Sequence, residues 1–342
     1  MKRRSLLSST LSVALLAAAP LGSAALAEDL TPVSVRLGFI SNVQYGDYYV
    51  ADAKGYFADA GVKVTLIPGG PGTPQGVAEL AAGQADIAIS AFLPFVDALA
   101  LGNDFVTIGV HFQSSPLGLI SMAAAPITEA KDILGATILS QGNVTTSNIK
   151  ALLEMNGLDR DDFKTLPAGF SPEPLIAGDA KGYTGFGTNQ NITMQVLGYE
   201  PEKDYFFRSF DEMGLASVSD LLVVKRDYLE AHRDMLVKFM AALIKAQKDI
   251  EANPDEQAEL ATDVYGVDYG LDLTQQKLQS RAQIAFSHPG GDPDFKVYGI
   301  DLEKIMGPVI DATKLTSDNP IPDDLVSAFD TSIVDDAWAS LR

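Results

Sequence analysis

Residues 33–70 read VSVRLGFISNVQYGDYYVADAKGYFADAGVKVTLIPGG, and three patterns follow one another in that stretch. VSVRLGFI (33–40) is extended and apolar, the composition of a strand. DYYVADAKGYFADAG (47–61) carries apolar residues at helical spacing and closes on Gly61, where a helix C-terminus favours glycine. VKVTLI (62–67) alternates again. A strand, a helix and a second strand in close order imply α/β architecture with a mainly parallel sheet and helices on both faces.

The loop that follows, PGGPGTPQG (68–76), lies between a strand and the helical VAELAAG (77–83). Such loops hold phosphates when glycines are spaced G-x-G-x-x-G and their N–H groups are free. Here Gly76 comes one residue late, and Pro71 and Pro74 each lack a donor. Asp86 begins its own strand, ADIAIS (85–90), and there is no Gly-Lys-Ser/Thr. The loop is therefore expected to be a plain connection or a pocket wall, with Gly69, Gly70 and Gly72 bringing backbone close to a ligand.

The alternation continues with LPFVDALALG (93–102, helix), FVTIGV (105–110, strand), PLGLISMA (116–123, extended) and ATILSQG (136–142, strand). TTSNIKALLEMNGL (145–158, helix), FKTLPAG (163–169, strand), AKGYTGFG (180–187, strand) and NITMQVLG (191–198, helix) come next. SVSDLLVVKRDYL (217–229) reads as a strand re-entering the first unit, and the remainder is almost wholly helical. The chain thus leaves one lobe near residue 114 and returns near 218. Two crossings make a hinge, expected near 112–118 and 214–222, and open α/β sheets bind ligands beyond the carboxyl ends of their strands.

The 342 residues carry a formal net charge of −20 and no cysteine. The first 27 read as a targeting segment: a basic start at Lys2, Arg3 and Arg4, an apolar run, and Ala25-Leu26-Ala27 as a small-x-small cleavage site. Removing the three basic residues would take the charge to −23. An acidic chain repels nucleic acid and anionic lipid. Absence of cysteine excludes a lipid anchor on cysteine, thiolate catalysis and thiolate metal sites. Three scattered histidines and no spaced carboxylates suggest neither metal nor cofactor. The expectation is a soluble, monomeric, exported protein.

The quoted stretch, with its strand, asparagine-containing loop and A-x-x-x-G-Y-F-x-x-x-G run, together with VAELAAGQADIAIS (77–90), resembles the type II periplasmic substrate-binding proteins of ABC transporters. Within these it is similar to the branch that binds thiamine-pyrimidine precursors, alkanesulfonates and taurine. The resemblance covers nearly all of the chain after residue 27. It implies a two-lobe fold with a two-strand hinge, lobe 1 being 28–113 and 221–342 and lobe 2 being 114–220. It also implies a periplasmic protein that captures a solute between its lobes and hands it to an ABC importer's membrane permease. A pyrimidine-synthase-like enzyme on the same fold is the alternative of another class.

Candidate binding residues are those on the loops facing such a cleft. Asn42, Gln44, Tyr45 and Tyr48 follow the first strand; Tyr45 is expected to stack on a flat ligand, whereas Tyr48 either joins it or packs within the helix. Gly70 represents the glycine loop. Ser90 and Phe92 follow the third strand, where Ser90 either meets the ligand or caps a helix. Gln113 lies at the first crossing. Asn143, Thr145 and Thr146 open a helix, one threonine serving as its cap, and Phe186, Thr188, Asn189 and Gln190 follow a later strand into the next helix. Phe170 either closes the cleft or fills a core. The nearest basic residues, Lys181 and Arg208, sit at strand positions. Aromatic, amide and hydroxyl groups with few cations favour a small, flat, largely neutral heterocycle over a sulfonate or taurine, which would draw a guanidinium; a flavin is the other ring ligand to consider.

Overall fold

A computed structural model describes residues 30–70, 72–288, 292 and 294–342; the expected targeting segment lies outside them. The first unit runs β1 (Thr31–Arg36), a 3-10 turn (Val43–Tyr45), α1 (Gly46–Ala53), α2 (Tyr56–Asp59), β2 (Val62–Ile67), α3 (Gly76–Ala81), β3 (Ile87–Ser90), α4 (Phe92–Ala100) and β4 (Phe105–Phe112). The second runs β5 (Leu117–Met122), β6 (Ala136–Ser140), α5 (Asn143–Met155), β7 (Phe163–Pro167), α6 (Glu173–Ile176), β8 (Gly182–Phe186), α7 (Gln190–Val196) and β9 (Tyr205–Ser209). After β10 (Ser219–Lys225) come α8 (Arg226–Ala252), α9 (Pro254–Leu260), α10 (Leu273–Ile284), α11 (Leu302–Lys304), α12 (Ile310–Thr316) and α13 (Ser332–Ser340).

These strands form two five-stranded sheets of matching order, β2-β1-β3-β10-β4 and β7-β6-β8-β5-β9. Four strands of each sheet share one direction. The fifth, β10 in one sheet and β5 in the other, runs antiparallel to both neighbours. The sheets are therefore mixed rather than simply parallel, because in each the reversed strand is the one that enters straight after a crossing from the other sheet. The single long helix expected over 47–61 is two helices: Gly55 takes a left-handed φ of 76° and breaks the hydrogen-bond ladder between α1 and α2. β9 was not among the strands recognised in the sequence, although Arg208 was placed at a strand position.

Each sheet is covered on both faces. Along β3 and β10, Ile87, Ile89, Leu222 and Val224 pack into one core, while Ala88, Leu221 and Val223 pack into another on the opposite face. This is the period-two alternation of a strand buried on both sides. Tyr48, Phe57 and Phe239 cluster in the first core, with the rings of Phe57 and Phe239 stacked at 5.2 Å. The second sheet is packed in the same way on Leu119, Ile138 and Leu152 and, opposite, on Ile120, Leu139 and Tyr183.

The C-terminal helices do not all stay with the first sheet. Ile305 and Val309 pack in its second core, Ala312 and Leu315 pack with α5 in the core of the other sheet, and Leu325, Ala328 and Phe329 return to the first. Gly307 and Pro308 lie in the irregular turn where this excursion begins. At its end the Ser317 hydroxyl donates to Asp97 Oδ1 on α4 at 2.6 Å.

Candidate functional site

The carboxyl ends of β1, β2 and β3 and the amino end of β10 come to one edge of the first sheet; β6, β8 and the amino end of β5 do the same in the second. Loops from both edges enclose a cavity of about 170 Å³ lined by Phe39, Gln44, Tyr45, Gly70, Gln75, Ser90, Ser219 and Asp220 from one side. Ser115, Leu117, Gln141, Val144, Thr145, Phe186, Asn189 and Gln190 line it from the other. A neighbouring cavity of about 290 Å³ shares Asn189 and adds Asn42, Phe170, Thr193 and Gln276.

The glycine loop is shaped from below by Arg36, the last residue of β1, which is 2% exposed. Its Nε pairs with Glu79 of α3. Nη1 donates to the carbonyls of Leu37 (3.1 Å) and Ile67 (3.4 Å), and Nη2 donates to Thr73 Oγ1 (3.1 Å) and the Pro74 carbonyl (3.1 Å). All five guanidinium donors are thus used. A Cβ at Gly69 would sit 2.7 Å from the Leu37 oxygen and 2.8 Å from Arg36 Nη1, so only glycine admits this approach. The loop is a pocket wall, presenting Gly70 to the cavity. Nothing in local sequence pattern singles Arg36 out, because its partners lie up to 43 residues away.

The loop after β1 is held from behind by α10. Gln276 Oε1 accepts the Val43 N–H (2.7 Å) and Gln283 Nε2 donates to the Val43 carbonyl (2.9 Å). That clamp fixes Gln44, whose Nε2 donates to both carboxylate oxygens of Asp220, at 3.1 and 2.8 Å. Asp220, the second residue of β10, has a left-handed φ of 55° and is 5% exposed. Burial pushes its carboxyl up to about 6 against the stabilising bonds from Gln44 and Ser219. Behind it, burial pushes Asp47 up to about 8, a backbone N–H opposing and the charge of Asp220 reinforcing the shift. Tyr298 donates its hydroxyl to Asp47. His111 lies against Phe112 and Tyr298, ring centroids at 4.8 and 5.0 Å, and burial lowers it to about 4, keeping it neutral.

Of the residues selected from the sequence, Gln44, Tyr45, Gly70, Ser90, Thr145, Phe186, Asn189 and Gln190 are brought together around the cavity. Tyr45, though, is 2% exposed and belongs to the first core. The ring faces better placed for a ligand are the half-buried Phe39 and Phe186, one from each side. Tyr48 is wholly core, packed on Phe57 and Phe239. Phe92 points into the opposite core beside Phe329. Gln113 is spent on the carbonyls of Val110 (2.7 Å) and Gly299 (3.0 Å). Asn42 caps the 3-10 turn, its Oδ1 accepting from Gln44 N at 2.9 Å, and borders the neighbouring cavity. Asn143 is exposed, Thr146 bonds back to the Gly142 carbonyl (3.1 Å), and Thr188 is buried; none of the three lines the cavity. Phe170 is 48% exposed and belongs to the neighbouring cavity. Missed from the sequence were Phe39, Gln75, Gln141, Ser219 and Asp220; the available signal for Asp220 was a lone acid at the start of the apolar run that re-enters the first lobe.

Two matching sheets with a cavity between their strand ends give this chain a two-lobed fold of the periplasmic-binding-protein type. The same fold is seen in a Candida albicans protein described as having the generic periplasmic binding protein fold, with TM-score 0.63 and 15% identity over 88% of this chain and 97% of that one. It is seen also in the alkanesulfonate-binding protein SsuA of Xanthomonas axonopodis bound to MOPS, with TM-score 0.62 and 16% identity over 87% and 98%. The chain belongs to the NMT1/THI5-like family, whose model matches residues 42–257. It is 28% identical to a formylaminopyrimidine-binding protein of Halalkalibacterium halodurans over 75% of this chain and 77% of that protein. Identity is 25% to the riboflavin-binding protein RibY of Chloroflexus aurantiacus, over 68% and 66%. A 4-amino-5-hydroxymethyl-2-methylpyrimidine phosphate synthase of Schizosaccharomyces pombe is 23% identical over 64% and 66%.

Proposed function

We propose that the protein is an exported solute-binding protein that closes on a small, flat nitrogen heterocycle and delivers it to the membrane permease of an ABC importer. The observation that carries this reading is the lining of the central cavity: rings from both sides, amides at Gln44, Gln141, Asn189 and Gln190, and neither lysine nor arginine among the described residues. A sulfonate would meet the Asp220 carboxylate instead of a cation. Like charges about 4 Å apart repel by roughly 4 kcal/mol at an effective dielectric of 20, enough to disfavour an alkanesulfonate that carries no ammonium group. The relatives that bind formylaminopyrimidine and riboflavin support a ring ligand, and the cavity volume favours a single ring over a flavin.

Binding rather than catalysis is the role we assign. Synthases are among the relatives, but apart from the core-buried Tyr45 the described lining offers a single titratable group, Asp220, and so no acid–base pair. The lobes would be 28–113 with 221–342 and 114–220, hinged where β4 passes to β5 and β9 to β10, with 1–27 removed on export. No helix among the described residues is long and apolar enough to cross a membrane. Mass spectrometry of the small molecule co-purifying with the protein tests the assignment: a nitrogen heterocycle is expected, and a sulfonate or an aliphatic amino acid would overturn it.

A further inference from the structure

We infer that Asp220 sets the specificity of the cavity, pairing its carboxylate with a ligand edge that presents two adjacent N–H donors, such as the ring-protonated amidine edge of an aminated heterocycle. This rests on the function proposed above and narrows it from flat nitrogen heterocycles to those that bind as cations, against the largely neutral ring expected from the sequence.

The argument starts from what the chain withholds. A buried carboxylate needs a cation or a full set of donors, and no described basic side chain forms an ion pair with Asp220 or lines the cavity. Gln44 Nε2 is shared between Oδ1 and Oδ2, and the Ser219 hydroxyl reaches Oδ1 only at 3.4 Å. An ionised carboxylate has about four acceptor sites, so acceptor capacity remains on a residue that borders the cavity. The groups facing it are no help in neutralising it: Asp47 behind is an acid, and Tyr45 and Tyr48 are phenols whose own ionisation Asp220 opposes. The Tyr45 hydroxyl has no hydrogen-bond partner.

The backbone points the same way. Asp220 is one of three non-glycine residues with positive φ among the described residues, and such strain persists where surrounding structure demands it, commonly at ligand sites. Here the Gln44 bond and the ladder of β10 with β3 and β4 hold the residue at the lip of the cavity. A parallel pair of charge-assisted hydrogen bonds to a carboxylate is short, strong and direction-specific. The missing cation is therefore the ligand's own contribution, and its ring is then set between Phe39 and Phe186.

Calorimetric titration of the protein without its leader, wild type and Asp220→Asn, tests this with three probes: 4-amino-5-hydroxymethyl-2-methylpyrimidine, the same ring with methyl replacing the amino group, and taurine. Wild type should prefer the aminated ring to the methylated one by about tenfold or more, the worth of a charged hydrogen bond. Asn keeps the shape and one acceptor, so Asp220→Asn should lose most of that preference while its ligand-free melting midpoint holds or rises. A preference unchanged in the variant overturns the role of Asp220 alone. If wild type binds taurine and neither ring, both this inference and the functional reading fall. Glu replacing Asp220 is the second variant: it should bind weakly yet retain a preference for the aminated ring, and its losing that preference entirely would count against the charge pairing.

Discussion

Replacing Arg36 by methionine should cost more stability than any single change within the glycine loop that it braces. The guanidinium is 2% exposed and its partner Glu79 is 17% exposed. Methionine fills much of the same volume but offers no donors. Four carbonyl or hydroxyl oxygens lose their partners, and Glu79 is left as a partly buried charge without a cation. Removing one member of a buried ion pair typically costs about 3–5 kcal/mol. The double variant Arg36→Met, Glu79→Gln removes the stranded charge and should recover about half of that, so the two changes should be non-additive by more than 1 kcal/mol or so. Lysine in place of Arg36 restores the charge but not the planar fork, and should rescue only in part. Urea unfolding of wild type, Arg36→Met, Glu79→Gln and the double variant, at constant slope, gives the cycle. Loop order reports separately: affinity for the ligand should fall in Arg36→Met even where folding is complete. If Arg36→Met unfolds at the wild-type midpoint, or the changes are additive, the guanidinium is not what shapes this wall.

Tyr45→Ala should lower ligand-free stability by about 3–5 kcal/mol, as for other large buried rings, because Tyr45 is in the core; an unchanged melting midpoint would place it back among the ligand contacts. Phe186→Ala, by contrast, should weaken ligand binding by roughly five- to tenfold with little loss of stability, from one lost stacking face, and equal affinity by calorimetry would refute the stacking role. Asp47, raised from 3.8 to about 8, keeps a proton that the unfolded chain has given up, so its contribution to stability is present below about pH 4 and lost as the pH rises through 8. Asp47→Asn should therefore unfold less readily than wild type at pH 9, by at most about 6 kcal/mol, and show no such advantage at pH 4; parallel stability curves for the two proteins would disprove the shift. His111 has the opposite sign: lowered to about 4, its neutral form stabilises above pH 6.5 and the contribution disappears as pH falls toward 4, so His111→Gln should flatten the acid limb of the unfolding curve.

What could be read from the sequence was whatever is local. The alternation in VKVTLI and the helical period of TTSNIKALLEMNGL announce their elements because the side chains that face a core repeat at the spacing of the element itself. The two crossings were legible for the same reason, as apolar runs on either side of loops near 114 and 218. Gly55 was not, since the apolar period continues through it and only the backbone reveals the break. At the site the limit is sharper. Tyr45, Tyr48 and Phe92 look like ligand contacts because they follow strand ends, but which way a residue faces just beyond a strand is decided by neighbours such as Phe239 and Phe329, more than 190 residues away. Asp220 and Gln44 meet across 176 residues, and no spacing rule joins them. Gln276 and Gln283, which hold Val43 in place, read in sequence as the polar face of a surface helix, although both are buried.

The excursion of residues 305–329 from the first sheet's core to the second's and back changes the mechanics of the molecule. Two strands passing between bodies act as a pair of pins, and a pair of pins leaves rotation about their common line as well as twist across it. The passages on either side of α12 add a third and a fourth constraint, set apart from the other two, with Asp97 gripping Ser317 at one end. Hinging of the lobes would then require the chain to bend with it, and Gly307 and Pro308 mark the irregular backbone where that bending would fall. If the lobes hinge as proposed, the tail of the chain would serve as a tie-rod between the jaws, limiting how far they could part.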